Sequence, residues 1–332
     1  MTSKTFNFPM RLNMPTKLRR FIFTFDVEDF INQNEVFALQ KILRMLQKYD
    51  LKAIFFINGH MAEKLSNYPQ IIEALKNHEI GYHSSSHSVH PTIPEYTDVK
   101  NYEEAYKIAV ERETSHISPL TGETEGEGGI YTLQDIFYPQ KIKAFRAPGM
   151  CWTPPLLEAL NSLGIKYDFS TNLTLSEPVS YKEITFYPFT AMQQWNGTTY
   201  HYKLLLSSIL KHKVTVFDLH PTLIVNQFEW DSIYYKGNPK NLTTVPERSA
   251  KEIEQKFRKL ELLMKQIKSL EKAKIIDTSI TLDIPSKKLT ISKEKINDCY
   301  QTSIKWAINR FNYHPKFIKN HFHEFFHEAL NN

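Results

Sequence analysis

Three acids, Asp26, Glu28 and Asp29, stand just behind a run of β-branched and aromatic residues, FIFTF. Carboxylates so placed can take a proton from water or hold a cation. The run predicts a buried strand, and on an extended backbone residues two apart point the same way. Asp26 and Glu28 therefore share a side while Val27 turns into the wall. More titratable groups recur downstream: His83 and His87 in HSSSH, Arg146 in FRAPG, Asp168 in YDFS and His220 in DLHP. Imidazoles four residues apart on a helical turn can reach one ion through bonds of about 2.0–2.1 Å. A carboxylate from the first strand end completes a two-histidine, one-carboxylate set that leaves a position for water, as hydrolysis requires.

A second HxxxH, His323 to His327, is a literal HExxH. On a helix that pattern can bind zinc with the Glu as base. Phe322, Phe325, Phe326 and Leu330 account for it instead as an amphipathic terminal helix, and no downstream third ligand follows. His90, before a proline, reads as a loop residue. Trp195 and Trp230 read as core, whereas Trp152, beside FRAPG, is a candidate sugar platform. Cys151 has no adjacent base and reads as packing.

The elements that must carry these residues alternate. Strands are predicted at 20–25, 52–57, 79–82, 143–145, 165–167, 184–189, 213–219 and 274–276. Helices are predicted at 34–49, 61–77, 102–112, 153–164, 200–210 and 246–273, with an irregular excursion at 115–140. This alternation implies βα units, a parallel sheet and right-handed crossovers. The fold expected is α/β, a distorted, TIM-barrel-like (β/α) barrel of about seven to eight parallel strands with a short C-terminal helical extension. The divisions are an N-terminal arm at 1–17, the barrel at 18–280 and the extension at 281–332. In the extension a polar linker, DIPSKK, precedes amphipathic helices near 293–311 and 315–330. That segment is too short to form a sizeable core alone; it should pack on the barrel or on a second copy, which would make a homo-oligomer. The candidate side chains then all fall at C-terminal strand ends, the rim where barrel enzymes assemble their sites.

With 41% hydrophobic and 23% charged residues, the composition is that of a soluble globular protein. The net charge of +5 is too small and too dispersed to imply nucleic acid. No glycine-rich phosphate loop occurs. Two cysteines, Cys151 and Cys299, imply no disulfide framework and suit a reducing compartment. The N-terminal residues lack the apolar stretch of a signal peptide, and no run approaches the roughly 18 apolar residues of a membrane span. A cytoplasmic location is expected, with the sequons at Asn172, Asn196 and Asn241 unused.

FTFDVEDF, HSSSH, FRAPG, YDFS and DLHP occur in the order and approximate spacing of the five motifs of polysaccharide deacetylases. Over about residues 18–221 the chain resembles this family, carbohydrate esterase family 4 or NodB-homology enzymes. The resemblance implies a distorted (β/α) barrel in which a divalent metal, most often Zn2+, drives removal of an acyl group from an amino sugar. It implies Asp26 as catalytic base, His83 and His87 as metal ligands, and Arg146 as the residue positioning the base. It implies a backbone N–H at Gly149 for the oxyanion; Pro148 and Trp152, neighbours of Gly149 in the chain, are read as candidate substrate contacts from their position alone. It further implies Asp168 as the acid tuning His220, and His220 as general acid. One position departs: where many members carry a second Asp as ligand, this chain has Val27. It resembles the variant in which the ligand moves one residue on, to Glu28, with Asp29 in reserve. The implied activity is metal-dependent N-deacetylation of an amino-sugar glycan or precursor. Alternatives are hydrolysis of a formamide or small cyclic amide, or a non-catalytic carbohydrate-binding barrel.

Overall fold

The computed structural model describes residues 18–171, 173, 175–192, 207, 209–282 and 287–330. β1, Arg19–Val27, is buried along its whole length from Phe21 onward. Its two faces enter different cores. Phe21, Phe23, Phe25 and Val27 join the large cluster shared with the helices. Ile22 joins a second cluster with Ile54, Phe56, Ala144, Val214 and Val216, to which none of the described helices contributes. Unbroken apolar runs are what a parallel sheet covered on both faces demands, and the two-residue period sends Thr24 and Asp26 to the side of Ile22.

β2 (Ala53–Ile57) and β3 (Glu79–Tyr82) follow, then β4 (Ser115–Ile117) and β5 (Thr124–Glu127), an antiparallel pair apart from the main sheet. The main sheet continues through β6 (Ala144–Phe145), β7 (Tyr167–Asp168), β8 (Val179–Tyr181), β9 (Ile184–Phe186), β10 (Ala191–Met192) and β11 (Val214–Leu219). β12 (Ile276–Asp277) pairs with the start of β1, and β13 (Lys287–Lys288) pairs with β8. The sheet order is β10-β11-β1-β2-β3-β6-β7-β9-β8-β13. From β10 to β9 every neighbouring pair is parallel, a run of eight against the seven to eight expected, with the unpredicted β10 in it and the strand predicted at 274–276 appearing as β12, off the run. Among the described residues β10 and β13 do not pair, so the sheet is a curled half-barrel and not a closed one.

Several elements differ from the sequence pattern. The stretch 61–77 is two helices, Gly59–Leu65 and Pro69–Leu75, because Pro69 cannot continue a helix but suits the first turn of a new one. The excursion at 115–140 holds the β4–β5 hairpin and a helix, Ile130–Ile136. The extension packs on the barrel, one of the two alternatives expected of it. β13 lengthens the main sheet, and Ile296, Ile304, Ala307, Ile318, Phe322 and Phe326 belong to the large core. The terminal HExxH is not one helix: the helix Ile318–Phe325 stops, and the exposed His327 begins a 3-10 turn. The arm at 1–17, Asn172, Trp195, Asn196 and most of the helix expected at 200–210 lie outside the described residues. Among those described, no helix is long and apolar enough to cross a membrane.

Candidate active site

The predicted side chains converge. Asp26 is the penultimate residue of β1 and Glu28 follows the strand; His83 follows β3, Arg146 follows β6, Asp168 ends β7 and His220 follows β11. Parallel strands in register bring these ends to one rim. There a cavity of about 610 Å³ is lined by Asp26, Glu28, His87, Gly149, His220 and Trp306, among others.

At its floor Glu28 Oε2 lies 3.1 Å from His83 Nε2 and 2.9 Å from His87 Nε2. The three donor atoms lie within 4.8 Å of one another, and all three residues are buried. Two imidazoles and a carboxylate closing on a common point are a zinc-type ligand set, so these residues fit a divalent cation. Burial alone would raise the Glu28 pKa; the neighbouring His87, His83 and His220 outweigh it and hold the carboxyl well below its usual range. Trp230 Nε1 donates to the other oxygen, Oε1, at 3.1 Å.

Asp29 faces elsewhere. It accepts from the Ile31 and Asn32 amides at 3.1 and 2.8 Å and from Thr222 Oγ1 at 2.7 Å. Its carboxylate thus organises the turn after β1, and Glu28 is the acid presented to the histidines.

HSSSH is not a helical turn, as its spacing suggested. It is a loop in which Ser84 and His87 have positive φ, 66° and 52°. The imidazoles still approach, with ring centroids 5.1 Å apart. The loop is held by buried Glu113, which accepts from Ser84 Oγ at 2.9 Å, the Ser85 amide at 3.0 Å and Tyr82 Oη at 2.7 Å. Glu113 also accepts from Tyr96 Oη. His83 Nδ1 meets the Arg146 carbonyl at 2.7 Å, which orients the ring. His87 Nδ1 meets Ser88 Oγ at 2.6 Å, and Ser88 donates onward to Asp231. Asp231 is paired in turn with Arg310, from the helix Lys293–Phe311. Partners of this kind fix the tautomer and direction of a ligating imidazole. His90 is a loop residue as expected, its Nδ1 2.9 Å from Glu95.

Arg146 is fully buried. Its Nη1 donates to Asp26 Oδ1 at 2.7 Å and also to Asp218, and its Nη2 donates to Thr24 Oγ1 at 2.9 Å. Burial disfavours the guanidinium charge, but Asp218 and Asp26 outweigh it and raise the Arg146 pKa.

His220, partly exposed to the cavity, places Nε2 3.6 Å from Asp26 Oδ2. Its Nδ1 is 3.9 Å from Asp218 Oδ2. Burial opposes its protonation, yet Asp218, Glu28 and Asp26 push its pKa up to about 9.

Three expectations require correction. The acids beside His220 are Asp218 and Asp26, whereas Asp168 accepts from Ser170 and interacts electrostatically with Arg146. Trp152 is no sugar platform. It is completely buried, its ring 4.9 Å from that of Phe322 and 6.1 Å from that of Phe186. Pro148 is also buried, and the wall beside it is formed by Ala147, Gly149 and Met150. Phe228, Tyr235 and Trp306 are aromatics of the wall, and Trp306 lies so close over Gly149 that a Cβ there would stand 2.3 Å from its ring.

Asp218, Asp231, Glu113, Trp306 and Arg310 escaped the sequence reading. Only Asp218 carried a signal, as an acid inside an otherwise apolar strand.

The polysaccharide deacetylase family model matches residues 13–167. Solved structures similar to the chain include the catalytic domain of peptidoglycan N-acetylglucosamine deacetylase from Eubacterium rectale. It is 14% identical, with 88% of this chain and 98% of that one covered and a TM-score of 0.42. A CE4 esterase from Streptococcus mutans is 18% identical, with 63% and 76% covered and a TM-score of 0.38. A CE4-family pseudoenzyme from Bacillus anthracis is 18% identical, with 61% of this chain covered and a TM-score of 0.36. The chain spans 55% of that pseudoenzyme's length. No curated protein sequence matches.

Proposed function

We propose, starting from the match of residues 13–167 to the polysaccharide deacetylase family model, that the chain is a metal-dependent hydrolase removing the N-acetyl group of an amino-sugar glycan or glycan precursor. The observation that carries this reading is the convergence of Asp26, Glu28, His83, His87 and His220 from separate strand ends on one cavity rim. Glu28, His83 and His87 are the residues that would hold the cation, which when bound supplies a Lewis acid and lowers the pKa of water.

Asp26 is the base. Arg146 occupies its Oδ1, which leaves Oδ2 on the His83 and His220 side to accept a proton from the attacking water. The water oxygen bonds to the acyl carbon, and the backbone N–H of Gly149, a residue of the cavity wall, would donate to the oxyanion. The C–N bond then breaks, and the departing nitrogen takes a proton from His220. Asp26 and Asp218 beside His220 favour the imidazolium needed for that step. The products are acetate and a free amine.

The test is acetate release from N-acetylated chito-oligosaccharides by chelator-stripped protein reloaded with Zn2+ or Co2+. Turnover that falls about 10²–10⁴-fold in Asp26→Asn, with bound metal retained, is the expected result. Metal-loaded protein that releases no acetate, or an Asp26→Asn variant as active as the parent, would overturn the reading.

A further inference from the structure

Beside that rim, just past the end of β2, a second group of metal-type side chains comes together. His60 and Glu63 stand three apart on the helix Gly59–Leu65 and so share a face. His116, on β4, reaches them from the other side. One donor atom from each of the three lies within 4.8 Å of the other two. His116 Nδ1 is 2.7 Å from Glu63 Oε1, and His60 Nδ1 is 3.9 Å from Glu63 Oε2. The second distance is too long for a hydrogen bond. It is the kind of separation two ligands have on one ion, since two bonds of about 2.0–2.2 Å span at most about 4.4 Å.

His60 itself asks for an explanation. It is only 6% exposed, and its Nε2 is buried with no hydrogen-bond partner. Its ring lies against Phe30 and His116, with centroids 4.6 and 5.1 Å away. His60 Nδ1 is the nitrogen turned toward Glu63, so a cation there would take Nδ1 and hold the ring's proton on Nε2. Beyond His116, Glu125 Oε2 on β5 lies 3.8 Å from its Nε2, near enough to add negative charge but not to hydrogen-bond. Glu63 and His116 are partly exposed, which leaves a way in.

We propose that His60, Glu63 and His116 form a second site for a divalent transition metal of the zinc class. Two imidazoles with one carboxylate suit Zn2+ better than Mg2+ or Ca2+, which prefer all-oxygen shells. The role follows from position. β4 and β5 form a two-stranded ribbon whose β5 residues are all exposed, and such a ribbon is marginal alone. A metal there fastens the ribbon to the helix Gly59–Leu65. That helix begins at Gly59, whose amide donates to the Ser84 carbonyl in the loop carrying His83 and His87.

The experiment counts metal in the full chain after chelation, reloading with Zn2+ alone and removal of excess. Two equivalents are expected in the parent, and one in each of Glu63→Gln, His116→Gln and His83→Ala. Glu63 is partly exposed, so its variant guards against a folding failure at buried His60. Limited proteolysis is a second readout: the 115–127 segment should be cut at least several-fold faster in His116→Gln than in the zinc-loaded parent. A parent that holds one equivalent, lost in His83→Ala and untouched by Glu63→Gln and His116→Gln, overturns the proposal. A parent that holds none overturns it as well.

Discussion

Arg146 Nη1 donates to Asp26 Oδ1 across 2.7 Å, joining strand ends 120 positions apart in the chain. The same guanidinium also serves Asp218 and Thr24, wholly out of water. Removing one partner of a buried pair strands the other charge, at about 3–5 kcal/mol. Arg146→Ala is therefore expected to lower unfolding free energy in urea by that amount. Arg146→Lys should recover only part of it, because an ammonium lacks the planar fork.

The line from His87 through Ser88 to Asp231 predicts an effect at a distance from the ligands. Asp231→Asn and Ser88→Ala should each weaken zinc at the Glu28, His83 and His87 site by about 10–100-fold, read by competition with a calibrated chelator. Unaltered affinity in both would show that the imidazole needs no such support.

Gly149 has φ of 57°, and Trp306 fills the space a side chain would need. Gly149→Ala thus combines left-handed strain with a clash and should cost about 1–3 kcal/mol. Trp306→Ala in the same chain removes the clash and leaves the strain. The double variant should lose less than the sum of the single losses, as a double-mutant cycle in urea would reveal.

Burial pushes Asp168 up to about 7 from an ordinary 3.8, against the pull of Ser170 and Arg146. The folded protein then keeps a proton that the unfolded chain releases between those values. Stability from this group is full below about pH 4 and is lost as pH rises toward 7, with a slope on the order of 1.4 kcal/mol per pH unit. Asp168→Asn should flatten that decline in urea midpoints measured from pH 4.5 to 7.

His78 works the other way. Burial, with Lys52 nearby, pushes its pKa from 6.5 down to about 4, and its ring packs on Phe55 at 5.2 Å. The unfolded chain binds the proton first, so this contribution is full above pH 6.5 and is lost as pH falls toward 4. His78→Phe keeps a ring in place without a titrating group. The variant should lose less stability than its parent between pH 6.5 and 4.5.

What could be read in advance followed from local rules. The two-residue period of β1 put Asp26 and Glu28 on one side and Val27 in the wall, and burial on both faces of a parallel sheet left a long apolar run to recognise. Alternating elements then brought Arg146 and His220 to the same rim. Contacts made by elements far apart in the chain left little trace. Trp306 and Arg310 sit on an amphipathic helix whose pattern says that one side is buried but not what its edge will touch. Trp152 lies beside the right motif, yet packing by Phe322 and Phe326 covers it. Glu113 ends a helix like any surface acid, and only the fold turns it beneath the histidine loop.

β1 lies between β2 and β11, with Phe23 opposite Ala53 on one side and Phe217 on the other. Thr24 Oγ1 reaches the Phe217 carbonyl, 193 positions away. During refolding β1 can satisfy one edge early, while the other stays bare until Val214–Leu219 arrives. In that interval a phenylalanine-rich strand offers unpaired amides and carbonyls, a template on which copies of itself can dock. Recovery from denaturant should accordingly decline as protein concentration rises, and dilution should restore it.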